Sequence, residues 1–242
     1  MSISTRETPS PNHEPRPAGC AVDMLILHYT GMATGKAALD RLRDPAAKVS
    51  AHYLIETDGT IHALVPEYRR AWHAGVAAWA GARNVNDRSI GIELVNPGHA
   101  FGYRPFPEAQ IASLTALAQD IVARHPIPAH AVLGHSDIAP ARKEDPGELF
   151  DWPRLAAEGL GVWPRPAQAP VRVPEIEWFQ RGMAWIGYDV PTHGTFDRPT
   201  RQALAAFQRH FRPEAVTGTP DAGTAERLLG LHHTLEGPLE AP

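Results

Sequence analysis

The chain has 242 residues, of which 43% are hydrophobic and 21% charged, a composition ordinary for a globular protein of one large or two smaller domains. The formal net charge is −4, and no basic stripe of the kind that binds polyanions is present, so we expect no nucleic-acid partner. No stretch is long and apolar enough to span a bilayer, which argues against membrane insertion. The single cysteine, Cys20, can form no intrachain disulfide, so any metal site must use His, Asp or Glu.

The N-terminal run MSISTRETPSPNHEPRP is polar and rich in proline, and it lacks the apolar segment that an export signal requires. We therefore predict a disordered lead over residues 1–20. The same observation predicts a cytoplasmic location, with a periplasmic or cell-wall location as the alternative.

The next segment reads as alternating strands and helices. VDMLILHY predicts a buried strand that ends near His28. ATGKAALDRLR predicts a helix that stops before Asp44-Pro45. HYLIETDGTIHALV predicts a β-hairpin, because two alternating runs flank Asp58-Gly59, which suits a tight turn. SIGIELV predicts another strand, with Glu93 as its only charge.

The elements that follow complete one domain. The segment from Pro107 to His125 predicts an amphipathic helix whose apolar face carries Ile111, Leu114, Leu117, Ile121 and Val122. A short strand over residues 131–133 then leads into the loop GHSDIAPARKEDPG, and residues 151–160 predict a closing helix. Intermixed strands and helices predict an α/β domain over residues 21–160, with a central mixed β-sheet flanked by helices.

Residues 161–174 contain four prolines and little periodicity, which predicts a semi-rigid linker and a domain boundary. In the segment beyond, the pattern G-T-x-D-x-x-T occurs at Gly194 and again at Gly218, each time before a helical pattern. The Asp and Thr of each copy are suited to cap the helix that follows. We predict a three-helix module over residues 175–235 and a short tail over 236–242.

Three side chains have the chemistry of a catalytic metal site, which takes three protein ligands and leaves a fourth position for water. His28 lies at the end of a predicted strand and His135 in the loop after another, places where α/β folds commonly present ligands, and Asp145 lies ten residues after His135. The spacing alone does not decide the matter. The chain has 13 histidines and no HExxH motif, so a structural role remains open for each histidine.

Five stretches together resemble the zinc-dependent N-acetylmuramoyl-L-alanine amidases of the amidase_2 family, whose fold peptidoglycan recognition proteins share. They are LILHYT, SAHYLIETDGTIHALV, WHAG, NDRSIGIELVN and GHSDIAPARKEDPG, in chain order between about residues 22 and 160. The last of them is the most specific. The tail, about Val173 to His233, is similar to peptidoglycan-binding domain type 1, although its first helix departs from the usual leucine-rich pattern.

The resemblance implies one Zn²⁺ per chain, held by His28, His135 and Asp145. It also implies Glu93 as the general base and Lys143 as the group that stabilises the oxyanion. A solvated loop residue is the structural alternative for Lys143, and a solvent-facing carboxylate at the strand edge is the alternative for Glu93. A lone charge inside SIGIELV is costly to bury, which favours a polar cleft beside a metal for Glu93.

His52, Trp72 and His73 also fall in motif-like stretches, and we predict that they line the substrate pocket. Packing within the hairpin explains His52 equally well, and Trp72 is able to fill a core instead.

The activity implied is hydrolysis of the amide between N-acetylmuramic acid, including its 1,6-anhydro form, and L-alanine of the stem peptide. The partner is then a muropeptide or peptidoglycan. A non-catalytic peptidoglycan receptor and a zinc endopeptidase acting on stem peptides are the alternatives. The sequence predicts no oligomeric state.

Overall fold

The strands that the sequence predicts assemble into one sheet in a computed structural model that describes residues 3–166, 172–237 and 239. Part of the predicted linker (167–171) and part of the predicted tail (238 and 240–242) lie outside the described residues. The strands of the described part are β1 (Arg6–Glu7), β2 (His13–Pro15), β3 (Met24–Tyr29), β4 (Tyr53–Ile55), β5 (Ile61–Ala63), β6 (Arg69–Ala71), β7 (Ala78–Trp79), β8 (Ala82–Arg83), β9 (Ser89–Leu94) and β10 (Val132–Gly134).

Six strands form the main sheet in the order β1-β5-β4-β9-β3-β10. The β4–β5 hairpin is antiparallel, as predicted, and Gly59 in its turn has φ +86°, a conformation that favours glycine. All the other pairs in this sheet are parallel, so the central sheet is mixed, as the sequence predicts. Two short antiparallel pairs, β2–β6 and β7–β8, lie outside it.

The predicted helices are present, with ends that differ by a few residues. The helices are α1 (Gly35–Arg43), α2 (Gly98–Phe101), α3 (Glu108–Arg124), α4 (His135–Ile138), α5 (Trp152–Ala157), α6 (Ile176–Ile186), α7 (Arg198–Phe211) and α8 (Ala222–Thr234). The first five intermix with the strands and flank the sheet, and the last three follow as a helical unit. This confirms the predicted α/β class.

The two faces of β9 have different neighbours. Ile90, Ile92 and Leu94 belong to one apolar cluster with the buried residues of α3. Because side chains alternate along a strand, Ser89, Gly91 and Glu93 point to the opposite face. The sequence SIGIEL therefore separates a packing face from a polar face within one buried strand.

The predicted disordered lead over residues 1–20 is wrong for its described part. β1 pairs with β5 and β2 pairs with β6. Arg16 fastens the segment further, because its guanidinium donates to the backbone carbonyls of Glu67, Asn86, Asp87 and Ser89. A polar, proline-rich segment is ordered here because its backbone and charges find partners more than 50 residues away in the chain, a relation that local composition does not reveal.

The repeated G-T-x-D-x-x-T loops are the capped starts of α7 and α8, as predicted. Asp197 accepts a hydrogen bond from the backbone of Thr200 at 2.9 Å, and Asp221 accepts one from Thr224 at 2.8 Å. A buried glutamine clamps each loop: Gln180 donates to Thr200 Oγ1, and Gln208 donates to Thr224 Oγ1.

The helical module is joined to the α/β domain by a buried polar network centred on Asp137 in α4. Tyr188 donates to Asp137 Oδ1 at 2.6 Å, and His210 of α7 lies 2.7 Å from Oδ2 through its Nδ1. The Gly134 amide donates to the same Oδ2 at 2.8 Å. Asp137 is fully buried, so these donors replace the water that its carboxylate lost on folding.

We predict that Tyr188→Phe lowers the free energy of unfolding by about 1–3 kcal/mol, because it leaves a buried carboxylate oxygen without its hydroxyl donor. Urea unfolding at pH 7 measures the change. Tyr68, which is 76% exposed, provides the control variant Tyr68→Phe, and we expect it to unfold as the wild type does. An equal effect of the two variants would contradict a stabilising role for the Tyr188 hydroxyl.

Candidate metal centre and active site

The register of three parallel strands brings the predicted site residues into one row. His28 of β3 lies directly beside Glu93 of β9. Gly134 of β10 pairs with Leu27, so the residue after it, His135, follows beside His28. Lateral neighbours in a sheet share a face, and the row lies on the polar face of β9. Asp145 reaches the row from the loop after α4, and its backbone carbonyl accepts from the Ser136 amide at 2.9 Å.

The ligand atoms of His28, His135 and Asp145 form a nearly equilateral triangle. His28 Nδ1 and His135 Nδ1 are 2.9 Å apart, and they lie 3.0 and 2.9 Å from Asp145 Oδ2. All three side chains are buried. Ligand atoms of a tetrahedral zinc ion, with bonds of about 2.0–2.1 Å, lie about 3.3 Å apart. The triangle is therefore of the right size, with only a small expansion needed, for one metal ion bound by two imidazoles and one carboxylate.

The charge states in this cluster also suit a cation. Burial lowers the pKa of His28 to about 4, and repulsion from His135 contributes to the shift, although Asp145 opposes it. Burial works against ionisation of Asp145, but His135 and His28 outweigh it and hold its pKa well below the usual range. A neutral imidazole and an ionised carboxylate are the forms that bind metal. His135 Nε2 lies 3.0 Å from the Ala74 carbonyl, which can only accept, so Nε2 carries the proton and Nδ1 keeps a free lone pair.

Glu93 lies beside the cluster as an unpaired acid. Its Oε2 is buried and has no hydrogen-bond partner among the described residues. Burial and the nearby Asp145 raise its pKa well above the ordinary value, and Lys143 opposes the shift in part. A buried carboxylate whose pKa is raised holds a proton more readily than an exposed one, a property of groups that take up and release protons during catalysis.

A cleft of about 390 Å³ opens over the row. Glu93, His135, Lys143 and Asp145 line it, so the structure brings the predicted acid, the predicted cation and two of the three predicted ligands to one opening. Tyr29, Met32 and Trp72 supply apolar surface to the same walls. The cleft is therefore suited to a ligand with both apolar and polar groups.

The three predicted pocket residues have different positions. Trp72 and His73 line the cleft, and His73 Nδ1 lies 3.0 Å from His28 Nε2. His52 does not line it. Its ring is fully buried, its Nδ1 accepts from the Gly91 amide at 3.0 Å, and its Nε2 lies 3.1 Å from the Arg69 carbonyl. The predicted substrate contact of His52 is wrong, because backbone groups of the protein occupy both ring nitrogens.

Sequence reasoning missed two residues around the cluster. Arg142 donates to the carbonyls of Ala74 and Val76 and thereby holds the loop whose carbonyl contacts His135. Ser89 Oγ lies 3.1 Å from His73 Nε2. The alternation of Ser89, Gly91 and Glu93 along β9 is a sequence signal able to find Ser89, because it marks one face as small and polar. Arg142 carries no such signal.

Two family models match the chain. The N-acetylmuramoyl-L-alanine amidase model matches residues 18–148, and a peptidoglycan-binding domain model matches residues 172–228. The amidase match covers five of the six strands of the main sheet, the three candidate ligands and the cleft. The chain belongs to the N-acetylmuramoyl-L-alanine amidase family.

Individual relatives agree with this assignment. The chain is 41% identical to the N-acetylmuramoyl-L-alanine amidase AmiD of Escherichia coli K12, over 86% of this chain and 82% of AmiD. It is 37% identical to the 1,6-anhydro-N-acetylmuramyl-L-alanine amidase AmpD of Enterobacter cloacae, over 64% of this chain and 90% of AmpD.

Two solved structures are similar over both parts of the chain. E. coli AmiD in complex with the substrate anhydro-N-acetylmuramic acid-L-Ala-D-γ-Glu-L-Lys superposes with a TM-score of 0.80, at 38% identity, covering 92% of this chain and 94% of that one. AmpDh3 of Pseudomonas aeruginosa in complex with anhydromuramic pentapeptide has a TM-score of 0.77, at 33% identity, covering 90% and 95%.

Among the described residues, none of the helices has the length and apolar character to cross a membrane. The cytoplasmic location stays a prediction.

The environment of His52 predicts a pH effect on stability. Burial, with the charge of Arg16 beside it, lowers the pKa of His52 from 6.5 to about 3. Between these values the unfolded chain binds a proton that the folded chain does not, so stability falls as the pH decreases below 6.5. This residue contributes a slope of up to about 1.4 kcal/mol per pH unit. We expect the metal-free variant His52→Asn, which keeps an acceptor for Gly91 but cannot be protonated, to lose that slope.

Urea unfolding of both metal-free proteins between pH 4.5 and 7.5 measures the difference. Above pH 7 the gap in unfolding free energy should be constant, because neither state binds the proton there. Parallel curves across the acidic range would show that His52 does not contribute.

Proposed function

We propose that this protein is a zinc-dependent amidase that hydrolyses the bond between the lactyl group of N-acetylmuramic acid and L-alanine, and that its substrates include the 1,6-anhydro form. The single observation that carries the proposal is the buried His28–His135–Asp145 triangle beside Glu93, whose Oε2 has no partner among the described residues, with Glu93, His135 and Asp145 open to one cleft. The anhydromuramic peptides bound to AmiD and AmpDh3 support the choice of substrate.

His28, His135 and Asp145 would hold the metal, and zinc fits the set of two imidazoles and one carboxylate. When bound, Zn²⁺ supplies Lewis acidity, which polarises the scissile carbonyl and makes a water molecule more acidic. Glu93 takes the proton of the attacking water and passes it to the leaving amine of L-alanine, a role for which its raised pKa is suited. Lys143 donates to the oxyanion that develops on the carbonyl oxygen.

The walls of the cleft position the substrate. Trp72 and Tyr29 offer flat apolar surface for the sugar or the lactyl group, and His73 lies at the floor beside His28. His73 lines the cleft, so its predicted contact with substrate remains part of this proposal, but not through its ring nitrogens, which contact His28 and Ser89.

We divide the chain into an amidase domain over residues 21–160, a linker over 161–174 and a peptidoglycan-binding module over 175–235. The amidase match ends before that linker, and the peptidoglycan-binding match begins within its last three residues, which supports the division. Because the module contacts α4 through buried groups, we propose that it acts as part of one body with the amidase domain.

We expect the purified protein to release a peptide that begins with L-Ala from anhydro-N-acetylmuramyl tripeptide, to lose this activity with a chelator and to regain it with Zn²⁺. Mass spectrometry of the products identifies the bond that is cut. Asp145→Ala should lose both bound zinc and turnover, whereas Asp40→Ala, at an exposed ion pair with Lys36, should lose neither.

A product cut inside the stem peptide would identify an endopeptidase instead. Binding to intact sacculi without any cleavage would identify a receptor. Full turnover by Asp145→Ala would contradict the metal assignment.

The role of Glu93 predicts a separate result. Glu93→Gln keeps the size of the side chain but removes the proton acceptor, so kcat should fall by about 10²–10⁴. The zinc content, measured by mass spectrometry of the metal, should stay at one ion per chain. A kcat close to that of the wild type would contradict the general-base role.

A further inference from the structure

His28 has a second ring nitrogen, which faces away from the metal triangle into the protein. His28 Nε2 lies 3.0 Å from His73 Nδ1, and His73 Nε2 lies 3.1 Å from Ser89 Oγ. The Ser89 hydroxyl donates to the Val85 carbonyl at 2.7 Å. Ser89 is fully buried and His73 is 9% exposed, so this series of contacts from His28 to Val85 lies almost wholly within the protein.

Metal binding would fix the direction of each hydrogen bond in this series from His28 to Ser89. An ion on His28 Nδ1 needs the lone pair of that atom, so the ring proton must lie on Nε2. His28 Nε2 then donates to His73 Nδ1, which must be unprotonated, and His73 carries its proton on Nε2. That proton needs an acceptor, and Ser89 Oγ is free to accept because its own hydrogen points to the Val85 carbonyl.

The position of the His73 ring is set by the strand below it. A Cβ on Gly91 would lie 2.4 Å from His73 Cγ, so only glycine at this position allows the ring to lie flat over β9. His73 therefore has little room to turn away from His28 and Ser89.

Without metal, a second arrangement satisfies the same groups. His28 Nδ1 is 3.0 Å from Asp145 Oδ2 and is able to donate to it. In that case His28 Nε2 has no proton, and His73 carries its proton on Nδ1 and donates to His28 Nε2. Ser89 then donates to His73 Nε2. The two arrangements differ in whether Ser89 must accept or donate.

From this geometry we propose that Ser89 and His73 are positioning residues that stabilise the metal-binding tautomer of His28. Ser89 is the final acceptor in the series of hydrogen bonds that begins at His28. The proposal rests on the proposed zinc site. Removing the Ser89 hydroxyl leaves the His73 Nε2 proton buried without an acceptor only when metal is bound, because the metal-free protein has the other arrangement available. The loss should therefore appear in metal affinity.

The test measures Zn²⁺ affinity by competition with a chromophoric chelator. Ser89→Ala should bind Zn²⁺ about 10–100-fold more weakly than the wild type. Ser10→Ala is the matched control, because Ser10 is also buried and its hydroxyl also donates to a backbone carbonyl, that of Leu42, whereas none of the hydrogen bonds of Ser10 within the described residues goes to a candidate ligand or to His73. We expect Ser10→Ala to bind Zn²⁺ as the wild type does, even if both variants unfold at a lower temperature.

A second measurement needs no variant. In the zinc-loaded wild type with ¹⁵N-labelled histidine, long-range ¹H–¹⁵N spectra should show His73 protonated on Nε2 and unprotonated on Nδ1. The opposite tautomer would overturn the proposal, as would equal zinc affinities of Ser89→Ala and Ser10→Ala. His135→Ala tests the proposed zinc site separately from the roles of Ser89 and His73. If this variant binds Zn²⁺ as tightly as the wild type, the zinc site itself is wrong.

Discussion

The lateral register of β10, β3 and β9 is the constraint on which the site depends. Parallel pairing places equivalent residues side by side, and the same register that pairs Leu27 with Ile92 places His28 beside Glu93. A shift of one residue in either strand would turn the polar set into the packing face beneath α3. The apolar residues that fix the register, Ile90, Ile92 and Leu94, therefore also fix the geometry of the cluster, from the opposite face of β9.

Burial gives the cluster its electrostatic character. Two imidazoles and one carboxylate share a buried space. Burial lowers the pKa of His28, while His135 and His28 hold the pKa of Asp145 below its usual range against the effect of burial, so a neutral His28 lies beside a negative charge. Glu93 lies beside them, and its Oε2 has no hydrogen-bond donor among the described residues. Such an arrangement destabilises the folded state, but it favours the binding of a cation and the transfer of a proton. The same features that would be a defect in a structural core are what a hydrolytic centre needs.

Much of this fold follows from local sequence. The hairpin, the β3 and β9 strands and the apolar face of α3 were predictable, because each depends on a short period or a turn dipeptide. The ligand set was predictable only by resemblance, since 13 histidines offer many alternatives. The order of residues 3–20 was not predictable, because Arg16 acts through carbonyls 51 to 73 residues distant. The sequence did not distinguish the position of His52 from that of His73 either. The difference depends on tertiary contacts at Gly91, whose amide binds His52 and whose missing side chain leaves space for the His73 ring.

The helical module affects the site through Asp137. This carboxylate accepts from Gly134, the residue before the candidate ligand His135, and from Tyr188 and His210 beyond the linker. Arg209 of α7 also lies 3.0 Å from Glu144, which is next to Asp145. The segment that carries two of the three candidate ligands is therefore held from both sides, by the sheet at Gly134 and by the module at Asp137 and Glu144. A module that only tethered the enzyme to its polymer would need no buried contact with this segment. The buried network indicates that the module also stabilises the metal-binding loop.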